Sequence, residues 1–571
     1  MSSEEAESAA RKRVRERWSQ VEYNSKAEER IDERAPKRAR VDNNSEVIDL
    51  TSDQEDTTLW EASDTDASLP KEAAADVGAS SCVARAREIA MKYPFKLVRS
   101  EYYDEGHDSD HFITLQGIFL NSNLVKTWLF SFQYELDFIL PMFNEFTQIT
   151  IVAQKGTILP LTRLSSKSSK LLSKMKTLEL QMPPFACHHS KMIVNEYRDG
   201  SCRIYIPSNN FTHAETNLPQ QIVWCSPHLQ RCCEAPKVSG FRDSLVEYLS
   251  AYPVSLKALI EFLGTLDFTP LDQMGAEFIF SCPKPFDSVV SGIPLLHKAL
   301  LDQQHASDRY PGSKTHRYLS QVSTIGAPLK TGLEAPGNLF SHLMVPLLSG
   351  LLAGPRDRKK PYEIPNLNRV FEDHHIKPYI MYPTPEEIQQ SPVGYLAGGW
   401  FHFHWLRNQA TKSVYNTLKR WGILHKQSPQ GCPTRGRTPS HTKFYMKSTT
   451  LPDNKAPFSD VDWFLFTTAN LSLNAWGTTT RKPQNYEVGV LLKSQEARRI
   501  TVKSASDLVY SKYRSAGQVL GSSKAHTDES ICTMVPFDIR PVPYQPRDDA
   551  FCISRSYEAA DINGKLHQAQ N

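Results

Sequence analysis

No run of about 20 apolar residues, the length a membrane-spanning helix needs, occurs in the sequence; the longest apolar stretch lies around Leu343 to Gly354. Cysteine is sparse and irregular, ten residues with no CxxC pair and no Cys/His cluster at zinc-ligand intervals. The amino-terminal stretch also lacks the basic, apolar and small-residue succession of a secretory signal. These absences argue against a membrane span, a disulfide-stapled secreted domain and a zinc module. The expected setting is soluble and reducing, inside the cell, with no membrane partner and no metal.

Apolar periodicity is also missing from residues 1–88, where Ser, Glu, Ala and Asp dominate. Such a segment cannot bury enough surface to offset the entropy of ordering, and it is expected to be a disordered tail. The net charge of +3 averages two unlike regions: residues 1–80 carry 12 Lys+Arg against 20 Asp+Glu, net −8, which leaves +11 on the rest. A body of that sign attracts polyanions. Arg11-Lys12-Arg13 and Pro36-Lys37-Arg38-Ala39-Arg40 are basic clusters of the nuclear-targeting kind, the alternative being plain solvated charge. A nuclear location is expected. Val47-Ile48-Asp49-Leu50-Thr51, flanked by Ser52, Asp53, Glu55 and Asp56, is a lone β-prone island with an acidic border. It can add a strand to a partner's sheet and resembles a SUMO-interacting motif, so SUMO or a SUMOylated protein is an expected partner through Val47–Leu50; the alternative is a chance apolar cluster.

Dense aromatic and aliphatic residues begin near Tyr93-Pro94-Phe95. From there strand-like runs such as Ile149-Thr150-Ile151-Val152 alternate with helix-like ones, Phe241 to Leu249 and Leu256 to Leu263. The expected fold class is α/β.

Within that body a degenerate repeat stands out. His189-Ser190-Lys191 leads into a strand, a turn at Arg198-Asp199-Gly200-Ser201, a second strand, and Pro207-Ser208-Asn209-Asn210-Phe211. His441-Thr442-Lys443 leads likewise through Phe444-Tyr445-Met446 and Trp463-Phe464-Leu465-Phe466 to Thr467-Thr468-Ala469-Asn470-Leu471. Residues i and i+2 of an extended strand share a face, and a hairpin returns its far end to its start. Each half therefore offers an imidazole, an ammonium, a hydroxyl and a carboxamide to one point, a cage for phosphate oxygens. With 18 His in the chain, roughly one His-x-Lys is expected by chance; there are three. The third, His375-Ile376-Lys377, is followed by Pro378, which should interrupt strand pairing, and it has no matched asparagine downstream. It is set aside as the random one. The frame with Ser/Thr two before and Phe/Leu after selects Asn210, with Asn209 as fallback.

These residues resemble the HKD signature of the phospholipase D superfamily, and in particular the tyrosyl-DNA phosphodiesterase family. The superfamily's pattern of an acid five residues after Lys is not kept in both halves, since Glu196 and Ser448 stand there. The stretches Phe185–Met192, Ser320–Gly326, Gly394–Gly399, Thr468–Ser472 with Ala475–Gly477, and Asn485–Val490 are similar to family segments in the family's order, from about Tyr93 to Phe551. The resemblance implies two similar α-β-α sandwich domains related by a pseudo-twofold (residues 89–274 and 275–571) after the tail of residues 1–88. It implies a metal-independent phosphodiesterase without cofactor that removes 3′-phosphotyrosyl and other 3′ adducts from DNA, leaving a 3′-phosphate. His189 would be the nucleophile forming a phosphohistidine and His441 the general acid and then base. Lys191, Lys443, Asn210 and Asn470 would hold the nonbridging oxygens, Glu487 would orient His189, and Gln221 would orient His441. Phe185 would stack on a base, with a core Phe as the alternative, and Ser320, Gln321 and Thr324 would contact the DNA backbone. Arg163, Lys167, Lys170, Lys174 and Lys176 either extend the groove or form a solvated helix face. The implied partners are single- or double-stranded DNA with blocked 3′ ends and a topoisomerase I-derived peptide, and the chain is expected to act as a monomer. The rival readings are a lipid- or nucleic-acid-cleaving relative in the same superfamily, and a non-catalytic scaffold with a decayed site.

Overall fold

The computed structural model describes residues 89–569 apart from 163–164, 233–236, 305–313, 331–335, 353–363, 428–434, 436, 497 and 511–529. The tail, with its basic clusters and the Val47–Leu50 island, and Arg163 lie outside the described residues.

Eight strands form the first sheet: β1 (Phe95–Val98), β2 (Phe112–Ile113), β3 (Leu124–Phe130), β4 (Gln148–Gln154), β5 (Lys176–Leu180), β6 (Met192–Tyr197), β7 (Cys202–Pro207) and β8 (Ile222–Cys225), in the order β2-β1-β8-β7-β6-β3-β4-β5. The second sheet takes β9 (Ala276–Ser281), β10 (Thr315–Gln321), β11 (Ile376–Met381), β12 (Leu424–His425), β13 (Phe444–Thr450), β15 (Trp463–Thr467) and β16 (Glu487–Lys493). Its order is β12-β11-β10-β13-β15-β16-β9. The remaining strands β14 (Asp460–Val461), β17 (Ile500–Ser504) and β18 (Ile531–Val535) make a small third sheet.

The series β1-β8-β7-β6-β3-β4-β5 and β9-β16-β15-β13-β10-β11-β12 match step for step, four antiparallel pairings followed by two parallel ones. The fold is thus α/β with two mixed sheets of one topology, and the His-x-Lys hairpins, β6–β7 and β13–β15, occupy corresponding central places. Central strands have neighbours on both sides and are covered on both faces, hence their near-continuous apolar runs. Met192 and Val194 of β6 face the same core as Phe444 and Met446 of β13, while Ile193 and Tyr445 face two other clusters. Phe95 of β1 meets Phe464 and Phe466 of β15 edge-on at 5.4 and 5.8 Å, so side chains of both sheets share one core.

The turn reading of the first hairpin corresponds to the structure: Gly200 has φ +77°, and Asp199 accepts from the N–H and hydroxyl of Ser201. Pro378, by contrast, does not interrupt pairing. It lies inside β11 opposite Tyr318 of β10, and β12 joins β11 only at Ile380 and Met381. At Pro378 the strand therefore has one neighbour, and the missing N–H is tolerated as on an edge strand.

A buried ion pair ties the segment preceding His441 to the first half. Arg435 Nη2 lies 3.2 Å from Asp104 Oδ2, both side chains fully buried. Arg435 Nη1 donates to the Val98 carbonyl, and Asp104 accepts from the Ser100 N–H and the Tyr510 hydroxyl.

Candidate active site

Sequence reasoning put His189 and Lys191 on a strand, but the β6 ladder starts one residue later, at Met192. The extended segment before it is paired across the molecule instead. His188 bridges Tyr486, with His189 N–H donating to the Tyr486 carbonyl at 3.0 Å and Tyr486 N–H to the Cys187 carbonyl at 3.2 Å. The second half repeats the arrangement: Ser440 bridges Gln220, with Gln220 N–H donating to the Pro439 carbonyl at 2.9 Å and His441 N–H to the Gln220 carbonyl at 3.2 Å. Each His-x-Lys thus lies beside the strand start of the other half, Glu487 in one case and Gln221 in the other. Two-strand exchanges of this kind bring both imidazoles close enough for their charges to interact.

Both lysines are buried and fold back onto their own motif. Lys191 Nζ donates to the His189 carbonyl at 3.0 Å and Lys443 Nζ to the His441 carbonyl at 3.1 Å. The asparagines are anchored through their oxygens. Ser131 Oγ donates to Asn210 Oδ1 at 3.1 Å; Asn470 Oδ1 accepts from Ser323 N–H and Oγ–H and from Thr324 N–H at 3.0–3.2 Å. Gly326 allows the close packing behind Asn470, since a Cβ there would come within 2.8 Å of Ser472 Cβ. Asn209 turns away, donating to Thr216 Oγ1 and the Asn210 carbonyl, while Asn210 binds Glu215 beside His441.

His189 Nδ1 lies 2.8 Å from Glu487 Oε2, and Glu487 is held by Thr468 Oγ1 at 2.7 Å and Asn485 Nδ2 at 3.0 Å. A carboxylate at Nδ1 fixes the proton there and leaves Nε2 with its lone pair. Behind this half runs a buried polar chain: Ser190 Oγ to Tyr248 hydroxyl, Tyr248 to Tyr252, Tyr252 to His188 Nε2, and His188 Nδ1 to the Ser131 carbonyl. Burial drives the His188 pKa down to about 3, so this imidazole is neutral and accepts from Tyr252.

Several expectations are corrected. Gln221 makes no hydrogen bond to His441: its carbonyl oxygen accepts from Ser208 Oγ and its amide donates to the Glu215 carbonyl. Ser208–Gln221 repeats Thr468–Glu487, with the amide hydrogen-bonded within its own half, and the Glu215 carboxylate stands 3.7 Å from His441 Nδ1. Ser320 and Gln321 are fully buried and cannot reach a DNA backbone. Gln321 Oε1 instead accepts from Thr442 Oγ1 at 2.8 Å, steadying the second His-x-Lys from behind as Tyr248 does the first. Thr324 is half-buried and contributes its backbone N–H to Asn470. Ser323, which sequence reasoning missed, is the residue whose hydroxyl enters the site. Phe185 is not a core residue: it is 73 % exposed with φ +64°, its carbonyl held by Asn474 Nδ2 at 2.7 Å. Of the basic run, Lys167 binds the Pro141 carbonyl and Lys170 pairs with Glu145 at 3.3 Å; Lys174 and Lys176 are exposed. His375 and Lys377 are exposed at the start of β11. Glu196 pairs with Lys126 at 3.3 Å.

The electrostatics follow from burying two lysines and two histidines together. Burial lowers the His189 pKa, with Glu487 opposing, and lowers that of His441 well below the ordinary range, with Lys443 and Lys191 adding to the effect. Both imidazoles are neutral at rest. Burial and the neighbouring Lys191 bring Lys443 down to about 7. Glu487 stays below the usual carboxylate range despite its burial because His189, Thr468 and Lys191 stabilise the anion. A site so arranged attracts an anion that restores its protons.

Comparison with known proteins gives this geometry its family. The model for "Tyrosyl-DNA phosphodiesterase" matches residues 94–545. The Saccharomyces cerevisiae tyrosyl-DNA phosphodiesterase 1 is 35% identical over 95% of this chain and 96% of its own length. A probable tyrosyl-DNA phosphodiesterase of Caenorhabditis elegans is 25% identical over 80% of this chain and 88% of the relative. The crystal structure of the yeast enzyme superposes with TM-score 0.67 at 36% identity, covering 80% of this chain and 99% of that one. With the family model spanning most of the chain and the site duplicated as described, this chain belongs to the tyrosyl-DNA phosphodiesterase family of the phospholipase D superfamily.

Proposed function

We propose that the chain hydrolyses the phosphodiester between a DNA 3′ end and a tyrosine, or another 3′ adduct, and so repairs blocked ends. The observation that carries this reading is the tie between His189 Nδ1 and Glu487 of the opposite half, which leaves His189 Nε2 as a neutral nucleophile. His189 Nε2 bonds to phosphorus as the bond from phosphorus to the tyrosine oxygen breaks, and His441 gives that oxygen its proton. Water then attacks phosphorus while His441 takes the water's proton; the phosphorus–nitrogen bond breaks and a 3′-phosphate leaves. Lys191, Lys443, Asn210 and Asn470 neutralise the nonbridging oxygens as their charge changes.

Single- and double-stranded 3′ ends, and the peptide left by topoisomerase I, are the substrates proposed; the protein acts as a monomer in the nucleus, with Val47–Leu50 engaging SUMO. The test is a single-stranded oligonucleotide carrying 3′-phosphotyrosine, incubated in EDTA. Conversion to the 3′-phosphate is expected; its absence, with hydrolysis of phosphatidylcholine vesicles instead, would move the chain to the lipid enzymes.

Two further results are expected. Phe185→Ala should weaken binding of single-stranded 3′ ends by about 1–3 kcal/mol, the contribution of one stacked base. Its melting temperature should not move, because an exposed ring contributes little to the core; a large drop in stability with unchanged affinity would contradict the stacking role. Affinity should also depend on pH through Lys443, with its pKa of about 7. Below 7 the free Lys443 amine is already charged. Above 7 it is neutral, and an anionic phosphate that raises the pKa must recruit a proton, so affinity declines with rising pH by up to about tenfold per unit. Calorimetry in buffers of different ionisation enthalpy should detect proton uptake at pH 8; none would contradict the coupling.

A further inference from the structure

The two half-motifs look interchangeable in sequence, yet the structure separates them at one residue. Glu215 follows Asn210 by five positions, in the helix His213–Asn217; the residue five after Asn470 is Ala475. The Glu215 carboxylate is buried and doubly held, Oε1 by Asn210 Nδ2 at 2.8 Å and Oε2 by Asn210 N–H at 3.0 Å. Its backbone is pinned by Gln221 Nε2 on the carbonyl and Thr212 Oγ1 on the N–H. Oε2 also stands 3.7 Å from His441 Nδ1, longer than a hydrogen bond.

Burial and then the charges of Lys443, Lys191, His189 and His402 all act against a proton on His441. An imidazole that must carry a proton in one step and accept one in the next cannot hold it in such a field unaided. Lys191 and Lys443 both feel the Glu215 charge as well. The half-site holding His189 needs no such residue of its own, because Glu487 reaches it from the other half.

We infer that Glu215 is the positioning residue of His441: with substrate bound, its carboxylate takes the Nδ1–H, placing the transferable proton on Nε2 and stabilising the imidazolium. This deepens the phosphodiesterase reading and rests on it. Glu215 is thereby the counterpart of Glu487 and makes His441 the proton shuttle. It also keeps Asn210 in place, so the nonbridging-oxygen contact and the proton carrier are set by one side chain.

The test compares two leaving groups across pH in single-turnover reactions of the full chain. A 3′-phosphotyrosyl end needs a proton on the departing phenol; a 3′-(4-nitrophenyl) phosphate departs without one. For Glu215→Gln, the tyrosyl rate is expected to fall about 10- to 100-fold, within the range of acid catalysis, while the nitrophenyl rate changes by less than about threefold. The alkaline limb of the tyrosyl pH profile should move to lower pH, because the imidazolium has lost its counter-charge. Glu215→Asp, one methylene shorter, should show the same selectivity at smaller amplitude, which keeps the test decisive if the glutamine variant does not fold. Equal losses on both substrates with an unmoved limb in the Glu215 variants would overturn the assignment, whereas a wild-type chain inactive on both would remove the underlying reading instead.

Discussion

His441→Ala should accumulate a covalent DNA–protein species, and His189→Ala should form none. The second step needs a base to deprotonate water, so without His441 the phosphohistidine persists and turnover falls by roughly 10²–10⁴-fold. The first step needs a neutral imidazole nitrogen, and without His189 no bond to phosphorus forms, so the loss should be about 10⁴-fold or greater. Denaturing gels of the two variants with a 3′-phosphotyrosyl oligonucleotide separate these outcomes directly. Recovery of only free DNA from His441→Ala, or an adduct with His189→Ala, would reverse the roles. The geometry favours the stated order because His189 is hydrogen-bonded at Nδ1 at rest, while the nearest acid to His441 Nδ1 stands 3.7 Å off. A held imidazole attacks along a fixed direction; a loosely held one can reach two different oxygens in turn.

Asp104→Asn should destabilise the protein by about 3–5 kcal/mol, the cost of leaving one member of a fully buried ion pair without its counter-charge. Both side chains are inaccessible, and Asp104 also accepts from Ser100 and Tyr510, so three contacts from two halves are disturbed at once. Arg435→Met should be milder in the Asp104→Leu background than alone, because replacing both charges removes the desolvation cost that breaking one leaves behind. Chemical denaturation of the four proteins gives the coupling. Activity should fall with Asp104→Asn as well, since the segment from Arg435 carries Thr438, which is bonded to Gln220, and then His441. A loss below about 1 kcal/mol would show that Arg435 finds water or another partner.

The strands around the motifs were legible because their signals are local. Period and turn chemistry place β6 and β7 around Asp199-Gly200, and the frame around Asn470 separates Asn210 from Asn209. Gln321 shows what local signals miss. Its segment resembles a family stretch, but whether a polar side chain on a central strand faces the cleft or lies beneath it depends on the helices and strands packed over each face. Phe185 shows the reverse: its exposure follows from a left-handed backbone fixed by Asn474, nearly 300 residues away. Ser323 carried no signal beyond sitting in the Ser320–Gly326 stretch, one residue before Thr324, where a contact was sought.

By itself the sequence determined the chemistry: two His-x-Lys pairs with matched asparagines, an α/β body and a tail unlike it in charge and composition. These are written in residue type and short spacing, which survive any arrangement of the rest. Only the tertiary structure decided which carboxylate lies beside which imidazole. His189 meets Glu487 because its motif segment pairs with the strand start of the opposite half, and the Glu215 carboxylate, held by Asn210, stands 3.7 Å from His441. Such pairings join residues some 220 to 300 positions apart, and no local propensity specifies them; they follow from two sheets of one topology burying a common core.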